Sequence, residues 1–247
     1  MLMTSLDGDN LDAAALGLYP EIAGQRVLIT GISNSRGIDM ARAFAEHGAR
    51  LVLQISEPGN ETHGLLEMIA PMTLDVEASF ERFETSAAFV TFARNAVTRF
   101  GGIDTVINLI PLEPAAASQS LGAVEQRISD LFAGPLLLSR VAANRMCLTQ
   151  TEGLVLNVAC PPLKADTGAR AFASVAKATL AAMTHSEAQT WAKDGIRFNA
   201  IAPVQSLCGA PRLSSEADMA ALALHLAAGR GSALAGQVFE AEPAWAA

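Results

Sequence analysis

The stretch Arg26–Leu53, RVLITGISNSRGIDMARAFAEHGARLVL, decides the fold. Arg26 to Thr30 is a short apolar run that stops at Thr30-Gly31, and Gly37 follows six residues after Gly31. Met40, Ala41, Phe44 and Ala45 then recur at helical spacing until His47-Gly48 ends the pattern. Leu51, Val52 and Leu53 form the next buried strand. A strand that runs through glycines into a helix aims backbone N–H groups outward at the helix N-terminus. That is a ready site for a pyrophosphate.

Outward from this unit, strands and helices keep alternating. SEPGNETHGLLEM reads as a polar connection too broken by Pro and Gly for a good helix. Ile69 to Leu74 reads as a strand closed by Asp75-Val76, and Ala78 to Phe100 as a long amphipathic helix with Phe80, Phe83, Ala87, Val90 and Ala93 on one face. Strands follow at Ile103–Ile110, Leu154–Val158, Ile196–Ile201 and Gly236–Glu240. Helices follow at Leu121–Leu148, Ala171–Ala192 and Met219–Ala228. This order predicts an α/β fold with a doubly wound, mostly parallel sheet. Residues 1–19 read as an N-terminal tail and 20–247 as one domain.

Composition narrows the function classes. A chain of 247 residues, half of them hydrophobic and 17% charged, has enough apolar material for a full core. A net charge of −8 without a basic run argues against nucleic acid. Cys147, Cys160 and Cys208 show neither metal-ligand nor disulfide spacing, which points to a reducing, cytoplasmic setting. No run is long enough for a membrane span, and Met1 to Leu18 lacks the basic start of a signal peptide. Asp7, Asp9 and Asp12 read as part of a solvated tail, since the glycine and terminal Glu of a calcium loop are missing.

The turn after the first strand resembles the TGxxxGxG of the short-chain dehydrogenase/reductase family. Thr30, Gly31 and Gly37 match it, with Ser35 in place of the middle glycine and Arg36 in place of an apolar residue. More matches lie in order along nearly the whole chain. Asp75-Val76 resembles the Asp-Val pair that contacts adenine, and Phe100 to Asp104 resembles FGxID. Gly195 to Pro203 resembles GIRVNAIAPG without its last glycine, and Ala235 to Val238 resembles TGQV. The resemblance implies a single Rossmann-like domain binding NAD or NADP at the carboxyl edge of its sheet. Gly31, Ser33, Asn34, Ser35, Arg36, Gly37, Asp75, Val76, Asn108 and Lys177 occupy the positions that would hold the cofactor.

The same resemblance implies a Tyr that exchanges the proton, a Lys four residues later, a Ser that orients the carbonyl and an Asn in a proton relay. Lys177, in FASVAK, matches the Lys. The Tyr position is Ala173, the Ser position Cys160 and the Asn position Leu131. The single Tyr of the chain, Tyr19, precedes the first strand. Lys177 and Cys160 are therefore the candidate catalytic residues that remain. The cofactor positions change as well: NNAG becomes Asn108-Leu109-Ile110-Pro111, the carboxamide Thr becomes Cys208, and Pro-Gly becomes Pro203-Val204. Ile55 stands where an acid would grip a ribose, Ser56 carries no charge for a 2′-phosphate, and the loop from Val204 to Ser215 is short for a substrate lid. Asp39 suits the helix dipole but repels a pyrophosphate. A guanidinium at Arg36 would replace the lost glycine contacts to a phosphate, or stand as a surface arginine at a helix start. His185, Asn108 and Asn199 also read as ordinary surface or backbone-tying residues.

Three functions fit these residues: a non-catalytic pseudo-dehydrogenase subunit or regulator, an NAD(P)-dependent oxidoreductase with an atypical site, or a dinucleotide-binding sensor. Any NAD or NADP binding is expected to be weak. The resemblance also implies an oligomer built on the helices Leu121–Leu148 and Ala171–Ala192, with itself or with an active homologue. Leu131, Phe132, Leu136, Leu137 and Leu138, and Phe172, Val175, Leu180, Met183 and Trp191, look like more apolar surface than one core face needs.

Overall fold

The computed structural model describes residues 19–73, 75–81, 86–113, 120–161, 166–203 and 215–240. In chain order the elements are β1 (Arg26–Ile32), α1 (Ile38–Glu46), β2 (Arg50–Ile55), α2 (Asn60–Ile69), β3 (Val76–Ser79), α3 (Ser86–Ala96), β4 (Thr105–Pro111), α4 (Leu121–Thr149), β5 (Leu154–Cys160), α5 (Thr167–Trp191), β6 (Arg197–Ile201), α6 (Glu216–Ala227) and β7 (Val238–Phe239). The strands form one parallel sheet in the order β3-β2-β1-β4-β5-β6-β7. The chain direction switches between β1 and β4, where an open α/β sheet leaves a crevice at its carboxyl edge.

Strand periodicity builds the three layers. Val27, Ile29, Leu51, Leu53, Ile107 and Leu156 face a core completed by α1, α2 and α6. Their neighbours Leu28, Val52, Val106 and Val155 face the opposite core, against α3, α4 and the end of α5. Both faces of each central strand are covered, so these strands read as continuous apolar runs rather than alternating ones.

Three expectations in the first half of the chain are corrected. SEPGNETHGLLEM contains a helix, α2. Its first turn is fixed by Thr62 Oγ1, which accepts the Gly59 amide proton at 2.9 Å and donates to the Gly59 carbonyl at 2.9 Å. Leu65 and Ile69, one turn apart, bury its inner face, and Gly64 points into open space. Ile69 thus ends a helix rather than starting a strand, and the third strand is Val76–Ser79. The following helix begins at Ser86 instead of Ala78, and Phe80 is 43% exposed. Phe83 and Leu74 lie outside the described residues, as do Val204 and Cys208.

A buried polar chain crosses the middle of the sheet. Thr30 donates to Asn108 Oδ1 at 3.0 Å, and Asn108 Nδ2 donates to Asn157 Oδ1 at 2.8 Å and to Ser139 Oγ at 3.1 Å. It ties β1, β4, β5 and α4 together where water cannot serve any of these groups. Asn108→Ala should cost roughly 2–3 kcal/mol in urea unfolding, because it orphans the Thr30 hydroxyl and the Asn157 carbonyl oxygen. A loss under about 0.5 kcal/mol would contradict this role.

Candidate functional site

The β1–α1 turn is shaped by a close approach that only glycine permits. Gly31 (φ +82°) and Gly37 (φ +86°) both lie in the left-handed region. A Cβ on Gly31 would collide with the Leu109 carbonyl oxygen, and one on Gly37 would sit 2.6 Å from Leu109 Cδ1. Between them, Ser33 and Arg36 exchange backbone hydrogen bonds at 3.0 and 3.4 Å, and the Ser35 amide donates to Ser33 Oγ at 3.3 Å. Asn34 is exposed, its amide group lying against Gly59 at the start of α2.

Several polar groups at and around this turn already have protein partners. The Gly31 amide donates to Gln54 Oε1 at 2.8 Å, and Gln54 Nε2 in turn donates to the Glu81 carbonyl at 3.1 Å. Arg36, with only 14% of its side chain exposed, lies 3.4 Å from Glu113 and 3.8 Å from Glu57. Asp39 pairs with Arg42 at 2.8 Å. The Met40 amide, in the first turn of α1, donates to Glu216 Oε1 at 3.5 Å. Burial raises the Glu216 pKa, the Met40, Gly37 and Asp39 amides pull it back down, and the Asp39 charge raises it further.

The positions that the sequence resemblance assigns to the family's chemistry are mostly apolar. Ala173 and Leu131 are 3% and 8% exposed and pack in one cluster with Ile110, Leu112, Phe172 and Ala176. Cys160 ends β5, beside Pro111 of β4, and burial pushes its thiol up to about 12. Lys177 is half-buried on α5, and its Nζ donates to the Pro203 carbonyl at 2.8 Å. Desolvation lowers its pKa, with the Glu240 carboxylate acting in the opposite sense. Tyr19 packs against His47 and His225, with ring centroids 5.9 and 6.2 Å away. It joins the core cluster of α1 and α6, not the apolar cluster around Ala173.

Asp75 and Val76 are not where adenine contact requires them. Val76 pairs with Leu51, and Asp75 forms an ion pair with Arg50 at 2.8 Å. Both acidic and apolar partner thus sit at the amino edge of the sheet, about 13 Å from its carboxyl edge by strand rise. Asn108 is likewise turned into the buried network and not toward a ligand. His185 is exposed, and Asn199 ties backbone together through Leu234 and Gln237.

Two hollows open at the carboxyl edge on either side of the turn. One, of about 360 Å³, runs along Thr30, Gly31, Gln54, Phe89, Pro111 and Leu131, with Arg127 and Asp130 at its rim. The other, of about 150 Å³, lies between Arg36, Gly37, Cys160, Glu216 and Met219. Gln54, Glu57, Glu113, Arg127 and Glu216 are site residues that sequence reasoning missed. Glu57 and Glu113 stand just beyond the ends of β2 and β4, where a doubly wound sheet places ligand contacts. That position was the available signal. Nothing local marks Glu216.

Comparison with known proteins agrees with this frame. A family model described as enoyl-(acyl carrier protein) reductase matches residues 31–206. An uncharacterized oxidoreductase of Thermotoga maritima is 30% identical over 190 residues, spanning 73% of this chain and 71% of its own length. Glucose 1-dehydrogenase 2 of Bacillus subtilis is 27% identical over 192 residues, spanning 75% and 73%. The crystal structure of a short-chain dehydrogenase from Burkholderia cenocepacia in complex with NADP superposes with a TM-score of 0.74 at 18% identity, over 90% of this chain and 98% of that one. The glycine turn, the sheet order and these matches together place the chain in the short-chain dehydrogenase/reductase family.

Proposed function

We propose that this member of the family does not perform Tyr-dependent carbonyl chemistry and serves as a non-catalytic subunit or regulator. One observation carries the reading: Ala173, Cys160 and Leu131 are buried at the positions of the proton donor, the carbonyl-orienting group and the relay. Hydride delivery to a carbonyl leaves an alkoxide that needs a donor tuned near neutrality. A buried thiol near pKa 12 does not supply one, and Ala and Leu have no proton to give. The fit of a nicotinamide dinucleotide is also poor in one half. The 360 Å³ hollow has the size of a ligand pocket, whereas the 150 Å³ hollow falls well below that range. Weak or absent NAD(P) binding follows from this.

A second reading, an NAD(P)-dependent oxidoreductase with a rearranged site, is favoured by the relatives. The Bacillus subtilis relative is named a dehydrogenase, and the matching family model is described as a reductase. Lys177 would then be the acid, since desolvation already lowers its pKa toward neutrality.

Assembly through α4 and α5 is part of the proposal, on a smaller patch than the sequence suggested. Leu131, Phe132, Leu138, Phe172 and Leu180 are buried in the monomer's own core. Leu136, Leu137, Met183 and Trp191 remain half-buried, and Val175 is 51% exposed.

NADPH or NADH oxidation with a panel of ketones and aldehydes should stay at the background rate. Turnover that Lys177→Met abolishes would establish the second reading instead. Ala173→Tyr alone should restore no activity and should destabilise the fold by about 1–3 kcal/mol, because it overfills a packed cluster. Iodoacetamide at pH 8 should leave Cys160 unmodified in the native protein and label it in urea, read by peptide mass mapping. At a pKa of about 12 only about one part in ten thousand is thiolate at that pH. Rapid native labelling of Cys160 would contradict its burial. Sedimentation should find a dimer or tetramer that Leu137→Glu with Met183→Glu dissociates into a folded monomer; a wild-type chain that stays monomeric at high concentration would leave only pairing with a homologue.

A further inference from the structure

The helices of this protein differ in how their first turns are capped. Ser120 accepts the Ala123 amide proton at the start of α4, Asp166 accepts that of Ala169 at 2.7 Å on α5, and Ser215 and Asp218 cap α6 reciprocally. The N-cap of α1 is Gly37, which has no side chain to offer. The free N–H groups of a helix start need an acceptor, and in this family's turn geometry they face the crevice. Here the acceptor arrives from α6. Glu216 is its first residue, and its Oε1 takes the Met40 amide proton at 3.5 Å. The Gly37 and Asp39 amides act on the same carboxylate.

Two further observations bear on the same spot. Arg36 Nε is buried without a hydrogen-bond partner among the described residues, while the outer nitrogens of that guanidinium face Glu57 and Glu113. The hollow between Arg36, Cys160 and Glu216 is about 150 Å³, and Glu216 lines it beside Gly37 and Met40 of the α1 start. A diphosphate would need those same amides. It would meet the negative charges of Glu216 and Asp39 at close range, and like charges this near exclude one another.

We propose that Glu216 is a specificity-determining residue that occupies the anion site of α1 from within and excludes the diphosphate of a nucleotide. This rests on the reading that dinucleotide binding is weak, and it assigns the weakness to one side chain. Glu216 does not line the 360 Å³ hollow beside Gly31, so a nucleoside without phosphates is not subject to the exclusion.

Titration calorimetry on the full chain tests this with ADP as the probe and adenosine as the control, for wild type, Glu216→Gln and Glu216→Ala. Glu216→Ala should bind ADP roughly tenfold or more tighter than wild type, the scale of one removed charge-assisted contact at a helix N-terminus. Adenosine affinity should not change. Glu216→Gln keeps an acceptor for the α1 amides without the charge, so it should fall between the two and should melt close to wild type. It decides the matter if Glu216→Ala fails to fold. ADP affinities within twofold of wild type in the folded variants, including no binding by any of them, would overturn the proposal. Tight ADP binding by wild type would overturn it together with the reading of weak cofactor binding. Wild-type turnover of NADPH would remove the non-catalytic reading alone, provided the ADP affinities still separate.

Discussion

Leu109, in the middle of β4, presses its carbonyl against the back of Gly31 and its Cδ1 against the back of Gly37. A Cβ at Gly31 would meet the Leu109 backbone and push β1 and β4 apart where the strand order switches, while one at Gly37 would crowd the Leu109 and Ile32 side chains. The turn is held in left-handed geometry by that contact, and the turn in turn sets where α1 begins. Everything at the carboxyl edge follows: the amides of α1, the swing of Arg36 across the ends of β2 and β4, and the division of the crevice into two hollows. The family's scaffold survives here in its most demanding detail.

The polar groups of the edge are engaged by the protein itself. A phosphate-binding turn normally offers unpaired N–H groups and positive charge. In this chain Gln54 takes the Gly31 amide, Glu216 takes the Met40 amide, and Glu57 and Glu113 flank Arg36. Arg36 was read in the sequence as a replacement for lost glycine contacts; the structure gives it two carboxylates as neighbours. Asp39, paired with Arg42, is close enough for its charge to raise the Glu216 pKa. Leu131, which lines the larger hollow, packs in one apolar cluster with Ala173 and Phe172.

Some of this was legible in the sequence and some was not, for physical reasons. β1, α1 and β2 announce themselves because both faces of a buried parallel strand are apolar and α1 has one clean stripe. The later elements were readable for the same reason, and their bounds moved by only a few residues. α2 was missed because Pro58 and Gly59 look like breakers, when they precede a helix whose start Thr62 secures. The error moved β3 and carried Asp75-Val76 with it. A family motif was recognised there, but the pair sits at the amino edge beside Arg50. The apolar excess on α4 and α5 was overcounted because spacing cannot tell a second core cluster from an interface. Glu216 could not be found at all, since it meets α1 from 176 residues away and only the packing of α6 on α1 brings it there.

What occupies the N-terminus of α1 decides whether a dinucleotide can seat its diphosphate there. A crystal structure of the wild-type chain grown with saturating NADPH tests this most directly. The account predicts Glu216 on the Met40 amide and no ordered diphosphate at the turn. A diphosphate seated on the amides of Gly37 to Met40, with Glu216 swung away, would contradict it.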